Sequence, residues 1–170
     1  MLHVARQRVA RTVSLALLAL VASAQAAPSS HVDIDTGEGE SLYLANCASC
    51  HLASGEGVPG VFPPLVRHVP NLEAAEGGRA YLINMMLYGV QGEIEVLGER
   101  YNGVMPGWRG LSDEAIADLL NYISVAWGNA ERLPEGFEAY TPDEVAAQRE
   151  PELGMREVYE QRLALEVPQD

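Results

Sequence analysis

Apolar residues recur at helical spacing in three stretches of the chain, and each stretch predicts a helix. The first stretch covers residues 39–50, and the second covers residues 78–88, which Gly89 follows as a stop signal. The third begins at Ser112, a good N-cap, and continues to Gly128. Its apolar stripe consists of Ile116, Leu119, Leu120, Ile123 and Trp127.

The segments between and after these helices have other patterns. Residues 55–65 are rich in glycine and proline, which predicts a loop. Apolar and acidic residues alternate over 93–96, so we predict a short hairpin or extended excursion over residues 93–101. Near the C-terminus, residues 141–144 have the sequence of a capping box with proline at the first helical position. A last helix is predicted over residues 153–165.

The first 26 residues have the pattern of a signal peptide. Three arginines precede an uncharged apolar run over 13–24, and Ala24-Gln25-Ala26 then forms a small-x-small cleavage signal, with Ala22-Ser23-Ala24 as a competitor. The run is shorter than the roughly 20 apolar residues that span a bilayer, which favours cleavage over a retained anchor. We therefore predict a periplasmic protein without a stable membrane span, whose mature chain begins with a flexible polar arm over 27–38.

The charge of the chain limits its partners. The formal net charge is −13, and all eleven basic residues are arginines. Removal of the signal peptide would take three arginines and no acid, which moves the net charge to about −16. Because phosphate binding requires a basic face, nucleic acid is excluded as a partner. An acidic surface instead favours protein partners with basic or neutral docking surfaces.

The chemistry of the chain centres on the sequence Cys47-Ala48-Ser49-Cys50-His51. Two thiols three residues apart, followed directly by histidine, are typical of covalent c-type haem attachment. A thioredoxin-like redox dithiol and half of a zinc site are the alternatives. No strand is predicted before Cys47, and no other cysteine is present in the sequence, so both alternatives are disfavoured. A single motif predicts a single haem.

Two stretches of the sequence resemble the class I cytochromes c. Gly39, Tyr43 and the cysteine–histidine motif have the spacing of the first helix of that family, and residues 101–108, with Asn102-Gly103 before Met105-Pro106, are similar to its distal loop. The resemblance implies an all-α fold, the class I cytochrome c fold, in which the N- and C-terminal helices cross around one covalent haem. It covers residues 39–129 as a cytochrome c domain and leaves residues 130–170 as a helical C-terminal extension.

The resemblance also implies a role for each site residue. Cys47 and Cys50 would attach haem c, and His51 would be the proximal ligand of the iron. Met105 would be the sixth ligand. The remaining cofactor-binding residues would be Pro63, Leu65 and Trp108. Of these, the carbonyl of Pro63 would accept the Nδ1 proton of the histidine, Leu65 would press on the porphyrin face, and Trp108 would line the pocket.

Other side chains could take some of these roles. Pro64 could replace Pro63, and His68 could be a sixth ligand, although we interpret it as a surface or hydrogen-bonding residue. Met85 and Met86 lie in an apolar helical stripe, where methionine is more often a packing residue.

The function that this resemblance implies is electron transfer, not catalysis. The iron would alternate between ferric and ferrous states while both axial ligands remain bound. Within class I, residues 57–65 and 88–105 resemble cytochrome domains associated with copper nitrite reductases and quinoprotein alcohol dehydrogenases. Two alternatives therefore remain: a cytochrome subunit tightly bound to a dehydrogenase or reductase, and a catalytic or gas-binding haem protein with a labile sixth ligand.

Overall fold

The computed structural model describes residues 34–169, so the predicted signal peptide and the first part of the predicted arm lie outside the described residues. The described end of that arm is tied to the body, because the Glu38 amide donates to the Asp118 carboxylate over 3.1 Å. The elements in chain order are α1 (Gly39–Asn46), α2 (Ala48–His51), α3 (His68–Ala74), α4 (Gly78–Tyr88), β1 (Gly89–Val96), β2 (Glu99–Pro106), α5 (Asp113–Val125), a 3-10 segment (Ala126–Arg132), α6 (Pro142–Ala147) and α7 (Met155–Ala164).

The predicted helix over 39–50 is interrupted once. It consists of α1 and α2, which meet at Cys47, where the backbone leaves regular helical geometry. The buried Gly39 lies against α5, and a Cβ at this position would overlap the backbone of Asp118 and the Cβ of Tyr122. Glycine therefore allows α1 and α5 to approach closely, and the rings of Tyr43 and Tyr122 pack 5.6 Å apart beside this contact.

The fold is mostly helical, but the expectation of an all-α protein is too narrow. Strands β1 and β2 form an antiparallel hairpin from residue 89 to residue 106, which is longer than the predicted excursion over 93–101. Gly89 ends α4 at a positive φ of 78°, and the chain then extends directly into β1. Met105 consequently lies on a strand, paired with Val90, and not on the loop that its Asn-Gly and Met-Pro neighbours predicted.

Two further elements differ from the sequence prediction. Helix α3 was not predicted, since its sequence contains Pro70 and has no obvious N-cap; the residue before it, Arg67, has a positive φ of 65°. Helix α5 begins after the Ser112 cap as predicted, and the Ser112 hydroxyl accepts a hydrogen bond from the Ala115 amide. It ends at Val125, however, because Trp127 takes a left-handed conformation with a φ of 55°.

The residues after 130 pack on the rest of the molecule. Helix α6 lies against α5, and its predicted capping box is present between Thr141 and Glu144. Helix α7 lies against α4 and against β1. Val158 in α7 is fully buried, whereas Leu163 on the same helix is 60% exposed. In that turn of the helix, Arg162 is buried instead of Leu163.

Candidate functional site

A large and mainly apolar cavity opens between the cysteine–histidine segment and the hairpin. Its walls include residues from α1 and α2, the loop before α3, helices α3 and α4, both strands and the segment before α5. Every residue predicted to bind the cofactor lies on these walls, as do His68 and Met85: the set is Cys47, Cys50, His51, Pro63, Leu65, His68, Met85, Met105 and Trp108. The fold therefore brings together residues that are up to 61 positions apart in the sequence.

The cysteine–histidine segment forms one tight turn. The amides of Cys50 and His51 both donate to the Cys47 carbonyl, over 3.1 and 2.9 Å. Burial, with a smaller contribution from Cys50, raises the pKa of the Cys47 thiol to about 11. Because the turn places two thiols and one imidazole at the same cavity wall, these side chains can act on one flat molecule.

The imidazole of His51 is held by the loop that follows it. Its Nδ1 lies 2.9 Å from the Pro63 carbonyl oxygen, which can accept the Nδ1 proton and leave Nε2 as the coordinating atom. Burial lowers the pKa of His51, and the bond to Pro63 opposes that shift. A neutral imidazole is the form that binds a metal.

The geometry of this loop depends on residues far from it in the sequence. The Leu65 amide donates to the Gly55 carbonyl over 2.7 Å, and a Cβ at Gly57 would overlap the backbone of Phe62 and Pro63. The fully buried Asn129 donates through Nδ2 to the Leu65 carbonyl, and its Oδ1 accepts from the Arg67 amide over 2.8 Å. Sequence reasoning missed Asn129, because nothing in its local pattern shows that it bonds to residues about 60 positions earlier.

Two candidate sulfur ligands line the same cavity as His51. Met105 reaches the cavity from β2 and Met85 reaches it from α4. Trp108 is fixed beside them by the bond from its amide to the Met86 carbonyl, 2.7 Å long. Leu65 and Trp108 are both partly buried and pack against the core.

His68 is buried and does not lie at the surface. It is only 5% exposed, it lines the cavity, and its Nδ1 has no hydrogen-bond partner. The prediction of a surface residue was wrong, because α3 turns this side chain inward.

The donor set of the cavity fits a c-type haem. Two thiols lie one turn apart and next to an imidazole whose Nδ1 is held by a backbone carbonyl, apolar side chains form most of the remaining wall, and the thioethers of Met85 and Met105 line the same cavity. Among residues 34–169, no group of three or more His, Cys, Asp or Glu side chains could hold a metal ion. The zinc alternative therefore has no support in the described part of the chain. No helix among the described residues is long and apolar enough to cross a membrane.

Comparison with known proteins identifies the family. The sequence model described as "Cytochrome c" matches residues 37–127. A cytochrome c-552 of Thermus thermophilus is 48% identical over 128 residues, which are 75% of this chain and 96% of that protein. The cytochrome c subunit of a quinone alcohol dehydrogenase of Gluconobacter oxydans is 36% identical over 93 residues, which are 54% of this chain and 18% of that subunit. The chain belongs to the class I monohaem proteins of the cytochrome c family, which bind haem c covalently and carry electrons without being enzymes.

Proposed function

We propose that this cytochrome is an exported electron carrier whose haem is attached through Cys47 and Cys50 and ligated by His51 and Met105. The observation that carries the proposal is the single cavity that holds the bonded His51–Pro63 pair on one wall and Met105 on another. When bound, the haem supplies one-electron chemistry at the iron. The chain supplies the ligands, the apolar surroundings and the exclusion of water.

Each residue contributes through a specific contact. Pro63 fixes the tautomer and orientation of the His51 ring through its carbonyl oxygen. Leu65 and Trp108 are partly buried at the cavity wall; Leu65 would press on the face of a bound porphyrin, and Trp108 would line the pocket beside it. Met105 is held in a strand ladder opposite Val90, and this pairing would restrain it as an iron ligand in both oxidation states. Because the same two ligands would remain bound, the structural reorganisation of the iron site on electron transfer would be small, which favours fast transfer.

The ligand assignment is tested by comparing absorption spectra of three variants of the holoprotein. We expect Met105→Ala to lose the weak far-red band of the ferric methionine–iron bond and to become largely high-spin. Met85→Leu and His68→Gln are the matched controls, because both positions line the same cavity, and both variants should keep the band. Loss of the band in either control, with its retention in Met105→Ala, would show that the sixth ligand has been assigned wrongly.

Export is the second part of the proposal. The basic start, the apolar run and the small residues at 24 and 26 support a cleaved signal peptide over 1–26 and a periplasmic protein. Mass measurement of the holoprotein purified from a periplasmic fraction should give a chain that begins at Ala27 or close to it. An intact N-terminus in a membrane fraction would instead indicate a retained anchor.

A tightly bound subunit is the second candidate function. It is favoured by the similarity to dehydrogenase subunits, including the cytochrome subunit of a fructose dehydrogenase of Gluconobacter japonicus, 32% identical over 118 residues, which are 65% of this chain and 23% of that subunit. The packing of the extension favours a free carrier. Tyr88 bonds to the Gln148 and Arg149 carbonyls, and Arg149 in turn bonds to Asp113 and to the Leu111 carbonyl. An extension held by its own body is less available as a tether.

The mouth of the cavity offers a docking surface for a redox protein. Val61 and Val104 line the cavity and are 55% and 57% exposed. Exposed acids lie close by in sequence, at Glu56 and Glu99, and the chain as a whole is strongly acidic. This combination fits a partner with an apolar contact patch and a basic or neutral surround. Substitution of Val104 by Glu should slow electron exchange with such a partner without changing the absorption spectrum.

A further inference from the structure

Among the arginines of residues 34–169, the buried one lies in the extension, outside the residues that the family model matches. Arg162 of α7 is 7% exposed, and its Nε is buried without a hydrogen-bond partner. One of its terminal nitrogens donates to the Glu95 carbonyl over 2.8 Å. Five other arginines of the described chain pair with a carboxylate, but Arg162 forms no ion pair with any described residue. A buried guanidinium without an anion is costly, so the structure calls for one.

Two cavity residues share this environment. His68 has a buried Nδ1 without a partner, and its pKa is lowered to about 3 by burial, with smaller contributions from Arg162 and His51. Tyr81 is 2% exposed and also lines the cavity; burial raises its pKa to about 12, while Arg162 acts in the opposite direction. His68 and Tyr81 line the cavity. Arg162 bonds to the Glu95 carbonyl, which is next in the chain to the cavity residue Ile94. It also acts on the pKa of both His68 and Tyr81. Among residues 34–169, no carboxylate pairs with Arg162.

A haem brings the missing anion, since its two propionates are carboxylates on one edge of the ring. We infer that Arg162, together with His68 and Tyr81, binds one haem propionate, so that helix α7 of the C-terminal extension sets the charge at that edge and with it the reduction potential. This inference rests on the proposed function only in requiring haem in the cavity; it does not depend on which residue is the sixth ligand.

The physical consequence concerns ionisation. Beside Arg162 the propionate stays ionised, and the two opposite charges largely cancel at the iron. Without the guanidinium, burial raises the pKa of the propionate and brings its ionisation into the neutral range. The anion that then forms stabilises ferric over ferrous iron, so the reduction potential should fall as the pH rises.

The test is the reduction potential of the holoprotein measured from pH 6 to pH 9. Arg162→Gln removes the charge, and Arg156→Gln is the matched control, because Arg156 lies on the same helix, is 86% exposed and pairs only with Glu160. We expect the reduction potential of Arg162→Gln to be closest to that of the wild type at pH 6. At pH 9 the variant should favour ferric iron about tenfold more than the wild type does, which lowers its potential by about 59 mV for one electron. Arg156→Gln and Arg162→Lys should follow the wild-type profile.

The other titratable groups that face this site define the remaining controls. They are His68 from α3, Tyr81 from α4 and His51, whereas β1 contributes the Glu95 backbone carbonyl. The double variant Arg162→Gln/His68→Gln removes the imidazole that could titrate near neutrality. The fall in potential should persist in it if the propionate is the titrating group, and its disappearance would assign the effect to His68 and overturn the inference.

A purely structural role for Arg162 has a different signature. If its only task is to bind the Glu95 carbonyl, Arg162→Gln will unfold at a lower temperature while its potential keeps the wild-type pH profile, and the inference fails. The wild type provides a check that needs no substitution. A potential that falls between pH 6 and pH 9 in the unmodified holoprotein as steeply as in Arg162→Gln would show that Arg162 does not hold the propionate ionised.

Discussion

At the scale of single residues, burial decides the chemistry more than residue type does. Glu73 in α3 is an example, since it is an acid that sequence reasoning would leave in solvent. Its Oε1 accepts hydrogen bonds from the Tyr140 hydroxyl over 2.5 Å and from the Ser124 hydroxyl over 3.3 Å. Burial raises the pKa of Glu73, and these two bonds oppose the shift. One carboxyl group thus links α3 to α5 and to the start of the extension.

The raised pKa of Glu73 predicts a pH-dependent effect on stability. The folded state holds the proton more tightly than the unfolded state. This group therefore lowers the free energy of unfolding as the pH rises from the ordinary pKa of a glutamate, about 4.5, through the raised pKa of the folded state. Glu73→Gln should therefore gain stability relative to the wild type between pH 4 and pH 8, measured by urea unfolding. The control is Glu76→Gln, at an exposed position in the next turn, which should show no such difference. If Glu73→Gln instead loses the same amount of stability at pH 4 and at pH 8, the hydrogen bonds to Tyr140 and Ser124 outweigh the cost of burying the charge.

At the scale of elements, the hairpin is the part that joins the site to the extension. Its strands contribute Val90, Ile94, Tyr101 and Met105 to the cavity, while α7 packs on β1. The Tyr159 hydroxyl donates to the Glu93 carbonyl over 2.8 Å. Gly92 has a φ of 153°, and a Cβ there would overlap the Tyr159 ring. Close contact between strand and helix thus depends on one glycine.

Substitution of Gly92 tests this contact. Gly92→Ala should lower the free energy of unfolding by roughly 2–6 kcal/mol, since backbone strain and overlap with the Tyr159 ring each cost about 1–3 kcal/mol. Gly110→Ala is the control, because its Cβ would have no neighbour within 4 Å; the change there should stay within about 0.5 kcal/mol. Thermal or urea unfolding provides the measurement. A neutral Gly92→Ala would show that α7 can move away from β1 without cost.

At the scale of the whole molecule, two features stand out: the acidic net charge, and the similarity to a relative that extends beyond the cytochrome c domain. The formal net charge is −13 and the sequence contains no lysine, so this chain cannot form a docking surface made of lysines. The match to cytochrome c-552 covers 128 residues, more than the 91 residues from 37 to 127 that the family model covers. The similarity to that protein therefore includes residues outside the cytochrome c domain.

The charge predicts opposite salt effects for small redox reagents of opposite sign. Between about 10 and 150 mM ionic strength the Debye length falls from about 30 to 8 Å, so the rate constant for a cationic complex should fall several-fold and that for an anionic complex should rise. Stopped-flow oxidation and reduction of the holoprotein provide the measurement, with a neutral reagent as the control. A rate that changes in the same direction with both ions would show that global charge does not steer the encounter.

The sequence by itself determined the family and its cofactor, because the thiols and histidine of the motif are adjacent in the chain and their chemistry depends on that spacing. The same local logic predicted the Ser112 cap, the capping box at Thr141 and Glu144, and the helices that follow them. Each of these features is decided within one or two turns of backbone. Their physical causes are therefore present in the printed sequence.

Only the tertiary structure decided the features that depend on distant contacts. Asn129 bonds to the loop at Leu65, His68 turns inward, and Arg162 takes the buried position expected of an apolar residue. The hairpin is longer than predicted, because strand pairing continues wherever a partner strand lies alongside. Burial and hydrogen-bond satisfaction are properties of the packed chain. Local patterns do not contain them, and the site acquires its electrostatic character only when the extension folds against the body.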